Sequence, residues 1–109
     1  MKTSTTAIQD ILDHVRTAGA LALEEQRRLD FSDRRYKVDE SVVTEADRKV
    51  EDFLYQHIAA HDPEANILTE ESRHPFDPGK LRTFAVDPID GTDVFSQGMP
   101  GWCVSIGLL

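Results

Sequence analysis

The chain has 109 residues, with 20 acidic against 12 basic side chains and a formal charge of -8. That length suits one hydrophobic core and excludes a mechanism that needs two domains within this chain, while a hydrophobic share of 39% marks a folding sequence and not a disordered one. The acidic surplus repels nucleic acid phosphates and anionic membranes, and no basic patch dense enough to reverse that is visible, so nucleic acid and membranes are excluded as partners.

The single cysteine, Cys103, has no internal disulfide partner. It sits in an apolar run, where it reads as a small buried hydrophobe, and a reducing, cytoplasmic setting fits. Met1 to Thr6 leads into an amphipathic pattern that contains acids. Neither an export signal nor a membrane-spanning segment is therefore expected.

In chain order, Ile8, Ile11, Leu12, Val15, Ala18 and Ala22 fall on one helical stripe, and a long helix is predicted over residues 5–29. Residues 30–41 are dense in both signs of charge and read as a solvated connection. Thr44 and Asp47, ahead of Val50, Phe53, Leu54 and Ile58, have the spacing of a capping box that opens a second amphipathic helix. That helix should end near His61-Asp62-Pro63, because proline disfavours helix in the residue before it. A short apolar run, Ile67-Leu68-Thr69, ends on Glu70-Glu71-Ser72, and Arg73 to Lys80 reads as a surface loop. Thr83-Phe84-Ala85-Val86 is a second apolar run, which stops on Asp87-Pro88-Ile89-Asp90-Gly91-Thr92. Trp102 to Leu109 is a further strand candidate. Two helices followed by at least three short strands argue for an α+β or layered α/β fold.

Carboxylates stand at the ends of two apolar runs: Glu70 and Glu71 after the first, Asp87 and Asp90 after the second. If the runs are neighbouring strands, their ends converge. Several carboxylates in one pocket repel one another unless protons or cations neutralise them. Oxygen donors without nearby cysteine or paired histidine suit Mg²⁺ or Mn²⁺ ahead of zinc. Gly91-Thr92 then offers a small residue and a hydroxyl where a short helix could begin and turn free amides toward an anion. Metal carboxylates beside an anion cradle are the parts of a phosphoryl-transfer site.

Other readings compete on these residues. Asp-Pro and Asp-Gly are ordinary turn pairs. An EF-hand loop fails, since it needs Gly at the sixth position and Glu at the twelfth, and counting from Asp87 the glycines fall fifth and twelfth. A glycosidase carboxylate pair is compatible with the residue types but leaves the Gly-Thr step unexplained. Phe95 and Trp102, bordering apolar runs, read as core. His14, His57, His61 and His74 lack ligand spacing along the chain and read as surface or helix-end residues.

The run Asp87-Pro88-Ile89-Asp90-Gly91-Thr92 with Phe95, preceded by Glu70-Glu71-Ser72 and by Val43-Thr44-Glu45-Ala46-Asp47, resembles the inositol monophosphatase family of Mg²⁺-dependent, lithium-sensitive phosphatases. The motifs agree in order and spacing, and the similarity extends from about Lys37 to Leu109. The resemblance implies a sugar-phosphatase-like fold, two helices on a mostly antiparallel sheet, of which residues 1–109 are the N-terminal, metal-binding half, incomplete at the C-terminus.

It further implies a phosphomonoesterase acting on a small phosphorylated alcohol, with inositol monophosphate as the first expectation, two or three Mg²⁺ ions as cofactors, Mn²⁺ as a substitute, and a homodimer for the full-length member. By the same resemblance Glu70 and Asp87 hold the first metal with the main-chain carbonyl of Ile89, and Asp87 bridges to a second held by Asp90. Thr92, with Asp47 behind it, orients the metal-activated water, and Glu70 contacts a further Mg²⁺. Asp90, Gly91 and Thr92 receive the substrate, the phosphate oxygens going to the amides of Gly91 and Thr92. Lys37 and Glu71 are additional candidates. Asp47 has a competing use, since its place after Thr44 serves helix capping equally well.

The pattern departs from the family at Thr69, where many members have Gly, and at Glu40 and Val42. Family members also continue past the position of Leu109 and draw a further Asp ligand from their second half. Two other expectations therefore stand beside the first: a truncated, non-catalytic fragment that binds divalent metal or a partner, and a phosphatase for histidinol phosphate or a phosphonucleotide.

Overall fold

The computed structural model describes residues 5–29, 40–69 and 75–109. Helix α1 spans Thr5–Arg27 and α2 spans Glu40–His61; strands β1 (Ala65–Leu68) and β2 (Arg82–Asp90), the short helix α3 (Thr92–Ser96) and β3 (Cys103–Leu108) follow. The sheet is mixed, in the order β1-β2-β3. β1 runs parallel to β2, with Ile67 beside Phe84 and Leu68 beside Ala85. β3 runs antiparallel to β2, with Phe84 opposite Leu108 and Asp87 opposite Ser105. The two helices pack on this sheet, as the order of elements predicts.

The core lies between the helices and one face of the sheet. Ala18 and Ala22 of α1, Val50, Leu54 and Ile58 of α2, Phe84, Val86 and Ile89 of β2, and Phe95 of α3 are buried together. The small residues of α1 let α2 approach closely, while of its N-terminal stripe Ile11 packs against the core and Ile8 and Leu12 are 46% and 45% exposed. Along β3 the alternation places Val104 and Ile106 against the core and Cys103, Ser105 and Gly107 on the opposite, open face. Cys103 is thus exposed and not a buried hydrophobe, because period-2 alternation, not the apolar character of its neighbours, decides its side.

Two local expectations change. Helix α2 begins at Glu40, so Thr44 lies inside it and is not its cap. Residues 30–39 of the expected connection lie outside the described residues. Strand β2 continues through Asp87-Pro88-Ile89-Asp90, where the sequence suggested a turn, and the helices end near their expected limits at Arg27 and His61.

Buried polar contacts tie the layers. Asp62, directly after α2, has no exposed surface and accepts hydrogen bonds from Nε and one terminal nitrogen of Arg82, the first residue of β2. This paired guanidinium holds the Asp62 carboxyl below the usual carboxylate range. Asn66 of β1 accepts from the Asp77 amide and donates to the Asp77 carbonyl, both at 2.9 Å, which docks the 75–80 segment on the sheet edge.

Three of the histidines also depart from expectation, while His74 lies outside the described residues. His14 of α1 meets His57 and His61 of α2, with ring centroids 4.5 and 5.0 Å away, and its Nε2 lies 3.0 Å from Nε2 of His61. Nδ1 of His57 lies 2.7 Å from the Phe53 carbonyl and donates to it. Spacing along the chain hides this trio, because one member comes from the other helix. The His14–His61 contact requires an unprotonated nitrogen on one side. Burial, then His57 and His61, hold the His14 pKa below its ordinary value, against the opposing charges of Asp10 and Asp13. A base whose pKa is depressed by folding stabilises the fold above its unfolded value, about 6.5, and loses that stability as pH falls below it. The urea midpoint should therefore drop between about pH 7.5 and about pH 5.5, and His14→Gln should flatten that dependence. Equal slopes for the two proteins would contradict the assignment.

Candidate functional site

Strand β2 carries the candidate carboxylates, and one irregularity puts them on the same side. In a regular strand residues three apart face opposite ways. Between Asp87, opposite Ser105, and Asp90, opposite Cys103, β2 advances three residues while β3 advances two. The extra residue makes a bulge, and Pro88 and Ile89 are buried in succession while Asp87 is half-buried and Asp90 exposed. Proline suits this position, since it has no N–H to place in the ladder.

Asp87 and Asp90 thereby lie on the open face with Ser105 and Cys103. Burial, and then the nearby Asp90 charge, push the Asp87 carboxyl above the usual carboxylate range, against the stabilising Ile89 amide hydrogen bond. Ionised Asp87 is therefore a cost to this fold that a proton or a cation would relieve. The side chain of Ile89 is 3% exposed and belongs to the core, which leaves only its main chain for the site.

The strand passes directly into α3 through Gly91, whose φ of 95° is left-handed. A Cβ there would come within 3.2 Å of the Trp102 Cα and 3.3 Å of the Gly101 carbonyl oxygen. A side chain here would thus be strained by the backbone conformation and crowded by Trp102 and Gly101. The first helical bond runs from the Phe95 N–H to the Gly91 carbonyl, 3.0 Å, so the amides of Thr92, Asp93 and Val94 stand ahead of the ladder, and Thr92 itself is exposed. Phe95 is fully buried and packs edge-on against Trp102, with ring centroids 5.2 Å apart; both aromatics belong to the core, as their sequence context suggests.

Strands β1 and β2 are neighbours and parallel, so their C-terminal ends lie at one end of the sheet. Glu70, Glu71 and Lys37 lie outside the described residues. Thr69, which precedes Glu70, has a shielded hydroxyl with no hydrogen-bond partner among the described residues. Asp47 stands inside α2, one residue after buried Ala46, with its Oδ1 shielded from solvent. Two turns from the start of the helix, it has no capping use. Among the described residues no group of three or more His, Cys, Asp or Glu could hold a metal ion; Asp87 and Asp90 are the pair brought together. No described helix is long and apolar enough to cross a membrane.

Sequence reasoning missed two features here. Pro88 within an apolar-flanked run was the available signal for the bulge. Gln26 of α1, 7% exposed, donates to the carbonyls of Phe95 and Met99 at 3.1 and 3.2 Å, and no motif signals it.

Two helices on a mixed sheet, with paired carboxylates on a bulged central strand that leads into a Gly-capped helical turn, define a layered α/β unit of the sugar-phosphatase kind. The chain belongs to the inositol monophosphatase family, which it matches over residues 4–109. It is 40% identical over 76 residues to inositol monophosphatase 1 of Solanum lycopersicum, a match covering 67% of this chain and 28% of that protein. It is 38% identical over 104 residues to a histidinol-phosphatase of Chlorobaculum parvum, covering 93% of this chain and 38% of that one. Among solved structures, inositol monophosphatase II of Staphylococcus aureus superposes with a TM-score of 0.78 at 26% identity, over 97% of this chain and 38% of that chain. The chain thus spans well under half the length of these relatives.

Replacing Gly91 by alanine should destabilise the protein by at least about 1–2 kcal/mol, from the left-handed backbone alone. A reduced urea midpoint at unchanged slope is the expected result. A midpoint equal to that of the unchanged protein would show that this turn relaxes without strain.

Proposed function

We propose that the protein containing this chain hydrolyses the phosphate monoester of a small alcohol, with inositol monophosphate as the substrate. The observation that carries the reading is the shared face of Asp87 and Asp90, with Asp87 pushed up by burial and by its neighbour, immediately before the Gly91-Thr92 turn. Hard oxygen donors that repel each other fit a divalent cation better than they fit solvent.

In this reading Asp87 and Asp90, with Glu70 and the main-chain carbonyl of Ile89, hold divalent cations, Mg²⁺ first and Mn²⁺ as the substitute. When bound, such cations neutralise charge on phosphoryl oxygens and lower the pKa of water. The amides at Gly91 and Thr92 receive phosphate oxygens, and the Thr92 hydroxyl, with the Asp47 carboxylate behind it, orients the attacking water. Lys37 and Glu71 are secondary candidates. Lithium sensitivity, a homodimeric assembly and a cytoplasmic setting complete the proposal.

A second substrate, histidinol phosphate, is favoured by one observation: the histidinol-phosphatase relative matches 93% of this chain, against 67% for the tomato inositol monophosphatase. Assaying both esters on the full-length protein separates the two, the substrate being the one with the larger kcat/KM.

Asp90→Asn should lower kcat at least about a hundredfold while leaving the fold intact, as judged by circular dichroism. Undiminished turnover would sink the assignment. Independently of turnover, Mg²⁺ should raise the thermal unfolding midpoint of the unchanged protein and not that of Asp87→Asn, because binding to the native state alone stabilises it by mass action. An identical Mg²⁺ shift in both proteins would remove Asp87 from the cation site.

A further inference from the structure

We propose that Gln26 is a positioning residue for the Gly91–Thr92 segment, acting from α1 through Phe95; the inference deepens the proposed phosphatase reading and rests on it. A glutamine amide has two N–H donors, and Nε2 of Gln26 spends them on two main-chain carbonyls, Phe95 at 3.1 Å and Met99 at 3.2 Å. These carbonyls are 69 and 73 residues away along the chain. Gln26 is buried, and the Phe95 carbonyl it binds also accepts from the Gly98 N–H at 3.0 Å, so the amide ties this hydrogen-bonded turn to α1.

What the amide holds is short. Helix α3 has five residues, far below the length at which a helix persists on its own. Its place is therefore set by its anchors. One is the Phe95 ring, fully buried against Trp102. The other is the Gln26 amide on the Phe95 carbonyl. The Phe95 N–H in turn bonds the Gly91 carbonyl at 3.0 Å, and the Met99 N–H bonds the Val94 carbonyl at 3.0 Å, so the far end of α3 and the turn after it form one hydrogen-bonded unit with the residue that precedes Thr92. Hydrophobic packing places the Phe95 ring but leaves rotation about it soft, whereas two directed hydrogen bonds remove that freedom. A group that orients an attacking water is sensitive to misplacement of about 1 Å, at a cost near a hundredfold in rate.

The test uses the full-length protein carrying Gln26→Met, which keeps length and burial but removes both donors, with Gln26→Glu as a second variant that sets a carboxylate against the same carbonyls. Amide hydrogen exchange should quicken by about tenfold or more at Phe95, Gln97, Gly98 and Met99, and stay unchanged in α2 and in β2 before Asp87. Turnover of inositol 1-phosphate or histidinol phosphate with Mg²⁺ should fall in kcat by about tenfold or more, with KM within about twofold. Unchanged exchange at those four amides, or exchange raised equally throughout the chain, overturns the anchoring. Local loosening with an unchanged kcat overturns the positioning role. A full-length protein that hydrolyses neither ester refutes the phosphatase reading and with it the positioning role, while the exchange pattern separately decides whether Gln26 anchors α3.

Discussion

One inserted residue in the central strand organises this molecule. β2 must send Phe84, Val86 and Ile89 into the core, and it must also present Asp87 and Asp90 on the other side. A regular strand cannot do both, because the spacing from Val86 to Ile89 and from Asp87 to Asp90 is odd in each case. The bulge opposite Ser105 and Cys103 resolves the conflict, and Pro88, unable to donate to a ladder, occupies the irregular stretch. Core packing and the candidate site therefore depend on the same local departure from pleated geometry.

The rest of the fold holds that strand in place from both ends. Asp62 and Arg82 join the end of α2 to the start of β2 through a two-point contact that only arginine's planar fork can make. Since β1 follows Asp62 closely and runs parallel to β2, the same contact sets the first residues of both strands side by side, Ala65 next to Arg82. Parallel pairing needs a long connection, and the stretch between Leu68 and Arg82 supplies it, with Asn66 capturing Asp77 on the way. At the other end Gly91 turns the chain closely past Trp102, and Phe95 sinks into the core. Neutral apolar packing thus lies behind an open face whose carboxylates remain at odds with each other.

The histidine trio and Gln26 show a different side of the same architecture. α1 contributes no acidic site residue, yet it supplies His14 to the contact with α2 and the amide that holds α3. These contacts give the helical layer polar specificity that its small apolar residues could not provide, since alanine against alanine is indifferent to a small slide.

Element order, the helical faces, the turn glycine at Gly91 and the carboxylate-bearing motifs are all legible along the chain, because these follow from periodicity, propensity and short-range spacing. The sequence also carried the family resemblance, since that rests on contiguous residues such as Asp87 to Thr92. Tertiary structure decided what depends on pairing. Register against β3 turned an apparent Asp-Pro turn into a bulged strand, exposed Cys103, and brought Asp87 and Asp90 onto one face. Helix α2, already formed at Glu40, removed the capping use of Asp47. Helix against helix assembled His14 with His57 and His61, and only the close approach of α1 to α3 gave Gln26 its two carbonyls. The physical reason is common to all of these: a side chain's face and its distant partners are set by the strand or helix packed beside it, and that neighbour is not adjacent in sequence.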